Sequence, residues 1–73
     1  MKRVEVRAET TARVFVVCCA VGAEVDAGRD LLILESMKIE IPVEAPAAGV
    51  VREIRVAVDD AVRDGDVLVV LET

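Results

Sequence analysis

Lys38 is the residue whose side chain best fits a chemical role in this sequence. The chain has seven arginines but only two lysines, Lys2 and Lys38. An arginine is a fixed cation, whereas a lysine carries a primary amine that can lose its proton and act as a nucleophile. Lys38 lies between two apolar runs near the middle of the chain, so its amine should stand on an exposed turn. On these grounds alone, an ordinary lysine on a solvated turn still explains the position better than a reactive amine.

The other candidate reactive groups offer little chemistry. Histidine is absent, which removes the commonest general base and the commonest metal ligand. Cys18 and Cys19 are neighbours in sequence and too close for an ordinary disulfide, so we interpret them as small apolar residues, one or both in the core. Acidic pairs such as Asp59-Asp60 fit turns, where aspartate makes local hydrogen bonds. The sequence therefore predicts no catalytic residue and no metal ligand.

Length and composition exclude several function classes. The chain has 73 residues, which predicts one domain over residues 1–73 with a thin core. Hydrophobic residues make up 55% and charged residues 32%, so the chain should fold. One aromatic residue and a net charge of −5 argue against nucleic-acid binding. The longest uncharged apolar run, residues 14–23, is about half of a membrane span, so we expect a cytoplasmic protein without membrane contact.

The elements that must position Lys38 read as short β-strands. Valine, isoleucine and leucine occur in short runs that Gly, Pro and Asp separate, and several runs alternate with polar residues. The continuous apolar run at residues 31–34 indicates a strand covered on both faces. A helix over residues 12–20 is the weaker alternative because β-branched residues crowd that segment. The predicted strands are residues 3–7, 12–19, 31–36, 39–43, 50–57 and 67–72, with short extended pieces at residues 23–25 and 60–62.

An internal repeat predicts how these strands are arranged. A shift of 37 residues places positions 6–36 over positions 43–73 with ten identical pairs. Two copies of one β unit, each too small to bury its own face, should pack about a pseudo-twofold axis. We expect an all-β, flattened barrel or sandwich of two four-stranded antiparallel sheets. Met37-Lys38 falls at the junction between the copies, as the tip of a tight hairpin at one end of the molecule.

Two sets of motifs around this hairpin carry a family resemblance. Residues 35–40 read Glu-Ser-Met-Lys-Ile-Glu, and residues 45–49 read Ala-Pro-Ala-Ala-Gly. Residues 25–31 and 62–68 both follow a Val-x-x-Gly-x-x-Leu pattern. Over nearly its whole length the chain resembles the biotinyl domain of biotin-dependent carboxylases. It is most similar to the stand-alone biotin/lipoyl attachment proteins, which consist of this domain alone.

The resemblance implies a carrier that does no bond-making itself. Lys38 would be the residue to which a biotin protein ligase attaches biotin, the implied cofactor, through an amide bond. The biotin arm would then carry a carboxyl group between a biotin carboxylase and a carboxyltransferase. Met37 and Ile39 would flank the acceptor lysine directly. Ligase recognition would involve the neighbouring hairpin residues Glu35, Ser36 and Glu40.

The sequence departs from the family pattern at three places. Ile39 replaces the methionine that usually follows the lysine, and we expect the ligase to accept it because it is also apolar. Residues 8–12 lack the Pro-x-x-Gly that the family often has there. Asp59-Asp60 replaces a usual Gly-Asp, and aspartate tolerates a left-handed backbone better than most residues. These changes concern turn stability more than modification.

Alternatives to a biotin carrier remain at this stage. Lipoyl domains have a similar fold but usually carry Asp-Lys-Ala at the tip, whereas Met37-Lys38-Ile39 favours biotin. An unmodified binding module of the same fold would tolerate Lys38→Arg, and a self-contained enzyme is the least favoured reading. A monomer is the simplest expectation, although exposed edge strands could pair.

Overall fold

The computed structural model describes residues 2–73 as an all-β fold, as predicted. No helix forms in these residues, so the helix considered for positions 12–20 is absent. The described residues accordingly contain no helix that could cross a membrane. The six predicted strands are present, and the two short extended pieces form two-residue strands. They are β1 (Arg3–Arg7), β2 (Ala12–Val17), β3 (Glu24–Val25), β4 (Asp30–Ser36), β5 (Ile39–Glu44), β6 (Gly49–Ile54), β7 (Ala61–Val62) and β8 (Val67–Glu72).

The ends of β2 and β6 come earlier than the apolar pattern predicts. β2 ends at Val17 and β6 ends at Ile54. The backbone N–H of Cys18 still donates to the carbonyl oxygen of Leu31 at 2.9 Å, but the chain then bends into a turn. The predicted ends of these two strands, residues 19 and 57, were wrong. Apolar residues continue beyond each strand into the following turn, so the apolar pattern does not mark where the strand ends.

The strands form two antiparallel sheets, and the pseudo-twofold axis of the internal repeat relates one sheet to the other. Sheet A has the order β1-β8-β6-β3, and sheet B has the order β5-β4-β2-β7. Each strand of one sheet has an equivalent strand in the other sheet, 37 residues away in the sequence. Matching hydrogen bonds follow: Gly22 N–H donates to the Val51 carbonyl at 2.8 Å, and Asp59 N–H donates to the Val14 carbonyl at 2.8 Å. This confirms the predicted pseudo-twofold arrangement.

The hydrophobic core lies between the two sheets. Each sheet turns alternate side chains inward, as expected for antiparallel sheets with one solvated face. The prediction that residues 31–34 are covered on both faces was wrong in part, because Ile33 is only half-buried on the outer face of β4. Val70 is also fully buried, but on the outer face of β8. The largest fully buried side chains of the core are Leu31, Leu32, Leu34, Leu68, Leu71, Val14, Val51, Val62 and Val69.

Aspartates stabilise turns in the second half of the chain. Asp59 takes a left-handed backbone with a φ of 77°, at the position equivalent to a glycine in the first half. The Asp60 carboxylate accepts the backbone N–H of Ala57 at 2.9 Å, and the Asp66 carboxylate accepts that of Arg63 at 2.8 Å. These local hydrogen bonds confirm that Asp59 and Asp60 are turn residues.

β5, which carries one arm of the hairpin, is an edge strand of sheet B. Ser36 pairs with Ile39 across the hairpin, so alternate residues from Ile39 onward turn their backbone groups toward β4. Pro42 belongs to the other set, whose backbone groups face away from the sheet. Proline is tolerated at such a position because no ladder hydrogen bond needs its missing N–H.

Candidate functional site

A two-residue turn forms the tip of the β4–β5 hairpin. Ser36 is paired with Ile39, and the residues between them, Met37 and Lys38, have φ values of 51° and 66°. Two consecutive positive φ values define a type I′ turn, which normally uses Asn-Gly. A side chain in this left-handed region costs about 1–2 kcal/mol per residue. The hairpin therefore holds Met37 and Lys38 in a geometry that their own residue types disfavour, as is common at functional sites.

The tip projects its side chains into solvent. Met37 is 91% exposed and Ile39 is 65% exposed, although both are large apolar residues. Lys38 is exposed between them and, within residues 2–73, its amine forms no ion pair. The arrangement presents one primary amine on a protruding, well-defined turn.

Two glutamates flank the tip on the outer face of sheet B. Glu35 on β4 lies directly opposite Glu40 on β5. Glu35 is half-buried, and its Oε1 lies 3.2 Å from Nη2 of Arg13 on β2. Glu40 is exposed and, among residues 2–73, has no ion-pair partner. Sequence reasoning grouped the two glutamates correctly but missed Arg13, because only the β2–β4 register shows that it faces Glu35.

The site offers a nucleophile but no catalytic apparatus around it. With no histidine in the chain, the amine has no imidazole beside it to accept its proton. Within residues 2–73, no cluster of three Cys, Asp or Glu side chains is placed to hold a metal ion. The residues around Lys38 fit covalent attachment of a carboxylic acid, because the amine is accessible and space around it is open.

The two cysteines lie away from this hairpin and are free thiols. Both are half-buried, and Cys19 packs against the core. Burial raises the pKa of the Cys19 thiol; the neighbouring Cys18 raises it further, and Arg29 opposes the change. A thiol with a raised pKa is a poorer nucleophile. The interpretation of these residues as small apolar side chains is therefore confirmed for Cys19.

Comparison with known proteins agrees with this geometry. Residues 5–71 match the family model described as biotin-requiring enzyme. The chain is 43% identical over 67 residues to the biotinylated protein TB7.3 homolog of Mycobacterium leprae (strain TN), covering 92% of this chain and 94% of that protein. It is 44% identical over 50 residues to the biotin/lipoyl attachment protein of Bacillus subtilis (strain 168), covering 68% of each chain.

The fold also recurs inside a much larger solved structure. The urea carboxylase of Kluyveromyces lactis contains a region that superposes with a TM-score of 0.92 and 33% sequence identity. The match covers 99% of this chain but 6% of that protein. The chain belongs to the biotin/lipoyl attachment family, and the resemblance found in its sequence is confirmed.

Proposed function

We propose that this protein is a biotin acceptor and carrier, and that a biotin protein ligase attaches biotin to Lys38. The observation that carries the proposal is the type I′ turn, which presents the Lys38 amine at the tip of a rigid hairpin. Family membership over residues 5–71 and relatives named as biotinylated or biotin attachment proteins support biotin as the group attached.

The attachment step needs little from this chain beyond position. The Lys38 amine loses its proton to a base of the ligase and attacks the carboxyl carbon of an activated biotin. The new C–N bond is an amide. The bond between the same carboxyl carbon and the oxygen of the activating phosphate breaks, and its electron pair leaves on that oxygen. Because a fixed attacking group removes much of the entropic cost, a strained but well-defined turn suits this reaction better than a flexible loop.

The chain's own residues then act as an anchor. Bound biotin supplies a ureido nitrogen that can carry a carboxyl group. The β4–β5 hairpin fixes the root of the arm, and the exposed Met37 and Ile39 leave the arm free to reach outward. On this proposal residues 1–73 form a single non-catalytic domain, and a biotin carboxylase and a carboxyltransferase are the partners that act on the arm.

Residues beside the acceptor have unequal parts in ligase recognition. Glu40 is exposed, so its carboxylate is available to a basic group of the ligase. Glu35 is held by Arg13 and acts more through the position of the hairpin than through direct contact. Ser36 closes the turn with Ile39 and sets the direction in which Met37 and Lys38 project.

An intact-mass measurement tests the proposed function. The protein is incubated with a biotin protein ligase, ATP and biotin, beside Lys38→Arg and Lys2→Arg. Lys2 is the matched control because it is the other lysine in the chain. We expect one biotinyl group on the parent and on Lys2→Arg, none on Lys38→Arg, and unchanged melting of both variants by circular dichroism.

Other results of this measurement would redirect the proposal. Biotin on Lys38→Arg would mean that another amine is the acceptor. A second incubation with a lipoate ligase, ATP and lipoate addresses the lipoyl alternative, and uptake of lipoate in place of biotin would establish it. Refusal of both acids by a folded parent protein would leave an unmodified binding module.

A further inference from the structure

The outer faces of the two sheets differ at positions that the internal repeat makes equivalent. On sheet B, Val16 of β2 and Pro42 of β5 lie on either side of Ile33 of β4. On sheet A, the corresponding row has Val70 of β8 between two glutamates. One row is entirely apolar, and the other has a charged residue on each side of its apolar centre. The backbone is the same in both sheets, so the difference lies in the side chains.

Charged side chains cover the row on sheet A. Val70 is only 1% exposed although it lies on the outer face. Arg52 contacts Glu72 at 3.5 Å, and Glu53 contacts both Arg55 at 3.2 Å and Arg3 at 3.8 Å. The aliphatic stems of long charged side chains can cover apolar surface while their charged ends stay in water. The outer face of sheet A is thus a charged, solvent-facing surface with its central apolar residue covered.

On sheet B one ion pair, Arg13–Glu35, lies beside the row, but the positions equivalent to Arg52 and Glu53 carry apolar side chains. Phe15 occupies the place that Arg52 has in sheet A, at a bulge where Phe15 and Val16 oppose Ile33, and it is 47% exposed. Val16, in the place of Glu53, is 36% exposed, and Ile33 is only half-buried. Phe15, Val16, Ile33 and Pro42 together form what we name the apolar face. Phe15 is the single aromatic residue of the chain, and it lies on the surface and not in the core.

Carboxylates lie at both ends of the apolar face on β4 and β5. Glu35 lies opposite Glu40 on the side toward the hairpin, and Asp30 lies opposite Glu44 at the far end of the same strands. Arg13 beside Glu35 is the one basic side chain among the β2, β4 and β5 residues. This surface is complementary to a protein that presents lysine or arginine side chains around an apolar centre.

We infer that the apolar face is the surface on which the biotin protein ligase rests while it modifies Lys38. This inference builds on the proposed function. Ile33 is three residues from Ser36, so the face begins about 10 Å from the turn at the usual rise per strand residue. The ligase must bring the bare lysine amine into its active site, so it must contact the domain this close to the tip. A partner that acts on the far end of a biotin arm has no such requirement.

Steady-state biotinylation with variants on the two faces tests this inference. The double variant Phe15→Ser/Val16→Thr removes apolar contact while it keeps side chains that a strand tolerates. The matched control, Arg52→Ser/Glu53→Thr, introduces the same two residues, serine and threonine, at the equivalent positions of sheet A. We expect at least a tenfold higher KM for the sheet B variant with kcat unchanged at saturating carrier protein, and a KM within twofold of the parent for the control.

The outcomes separate this inference from the proposed function. A folded sheet B variant with the parent's KM overturns the inference while biotinylation of Lys38 stands. A parent that takes up no biotin at all defeats the proposed function and the inference with it. A normal KM with the ligase, combined with slower carboxylation of the biotinylated variant by a biotin carboxylase, assigns the face to that partner instead. If the double variant does not fold, Phe15→Ser alone answers the same question.

Discussion

The two ends of the molecule have equivalent places in the repeat but are built differently. At the closed end, Ser36 and Ile39 are joined by the turn that contains Lys38. At the open end, Thr73 and Lys2 hold the equivalent positions, and they exchange hydrogen bonds of 2.8 and 3.1 Å between backbone groups. The strand ladder thus forms at the open end with no turn in the described residues. A connecting turn is therefore not needed for the equivalent pairing at the open end.

Charges next to each end sharpen the contrast. At the open end, Arg3 lies opposite Glu72, so the cross-strand pair is attractive. At the closed end, the equivalent pair is Glu40 and Glu35, which carry the same charge. Like charges directly opposite one another are destabilising. The closed end therefore combines a strained turn with a repulsive pair, and local rules are expected to fail in this way where function requires it.

The largest change that we predict concerns the open end. Gly49 of β6 lies so close to β8 that an added Cβ would be 2.6 Å from the carbonyl oxygen of Glu72. Because a backbone atom would have to move, Gly49→Ala should lower the free energy of unfolding by about 2 kcal/mol. The midpoint of urea denaturation measures the change.

Position 12 provides the control for this prediction at the closed end. Ala12 is equivalent to Gly49 and accommodates its Cβ on β2. Ala12→Gly should cost only about 0.5–1 kcal/mol, which is the usual penalty for glycine in a strand. A Gly49→Ala protein at least as stable as the parent would show that the close approach at the open end has no energetic consequence, because without a clash the added Cβ should stabilise the strand.

The next largest effect concerns the strain in the turn. Met37→Asn places at this position a residue that tolerates the left-handed region. Relief of the strain should raise the free energy of unfolding by about 1 kcal/mol. Ser36→Asn, one residue earlier in β4, is the control and should give no gain. A Met37→Asn protein no more stable than the parent would mean that the turn is not strained.

The smallest effect concerns the charge pairs. Glu40→Arg gives the closed end the attractive pair of the open end, so it should add about 0.5 kcal/mol of stability and reduce the rate of biotinylation. The reciprocal change, Arg3→Glu, should lose a similar amount and leave the rate unchanged. Thermal melts and initial rates of biotin uptake measure both effects. An unchanged rate in Glu40→Arg, and also in Glu35→Arg, would remove these glutamates from ligase recognition.

The sequence was sufficient to predict the architecture and the position of the tip. Alternation of apolar residues and the repeat of 37 residues predicted the strands and the two sheets related by a pseudo-twofold axis. Met37-Lys38 was placed correctly at the β4–β5 turn. These features depend on periodicity and on chain order, which a sequence displays directly. The left-handed backbone at Asp59 was also foreseen, because aspartate replaces glycine there.

Features that depend on register were not predictable in the same way. The bulges that shift the pairing after Val14 and Val51 decide which residues share an outer face. Without them, the pairing of Arg13 with Glu35 and the exposure of Phe15 cannot be read from the chain. The positive φ values of Met37 and Lys38 were hidden for another reason: neither residue type signals a type I′ turn.

Pro42 has a consequence for how this protein behaves when it is concentrated. An edge strand with an unbroken row of free donors can recruit another strand, which recruits the next, so that growth continues as a fibril. In β5 the proline removes the donor from the middle of that row. The exposed β4–β5 hairpin is thereby kept from serving as a nucleus for self-assembly.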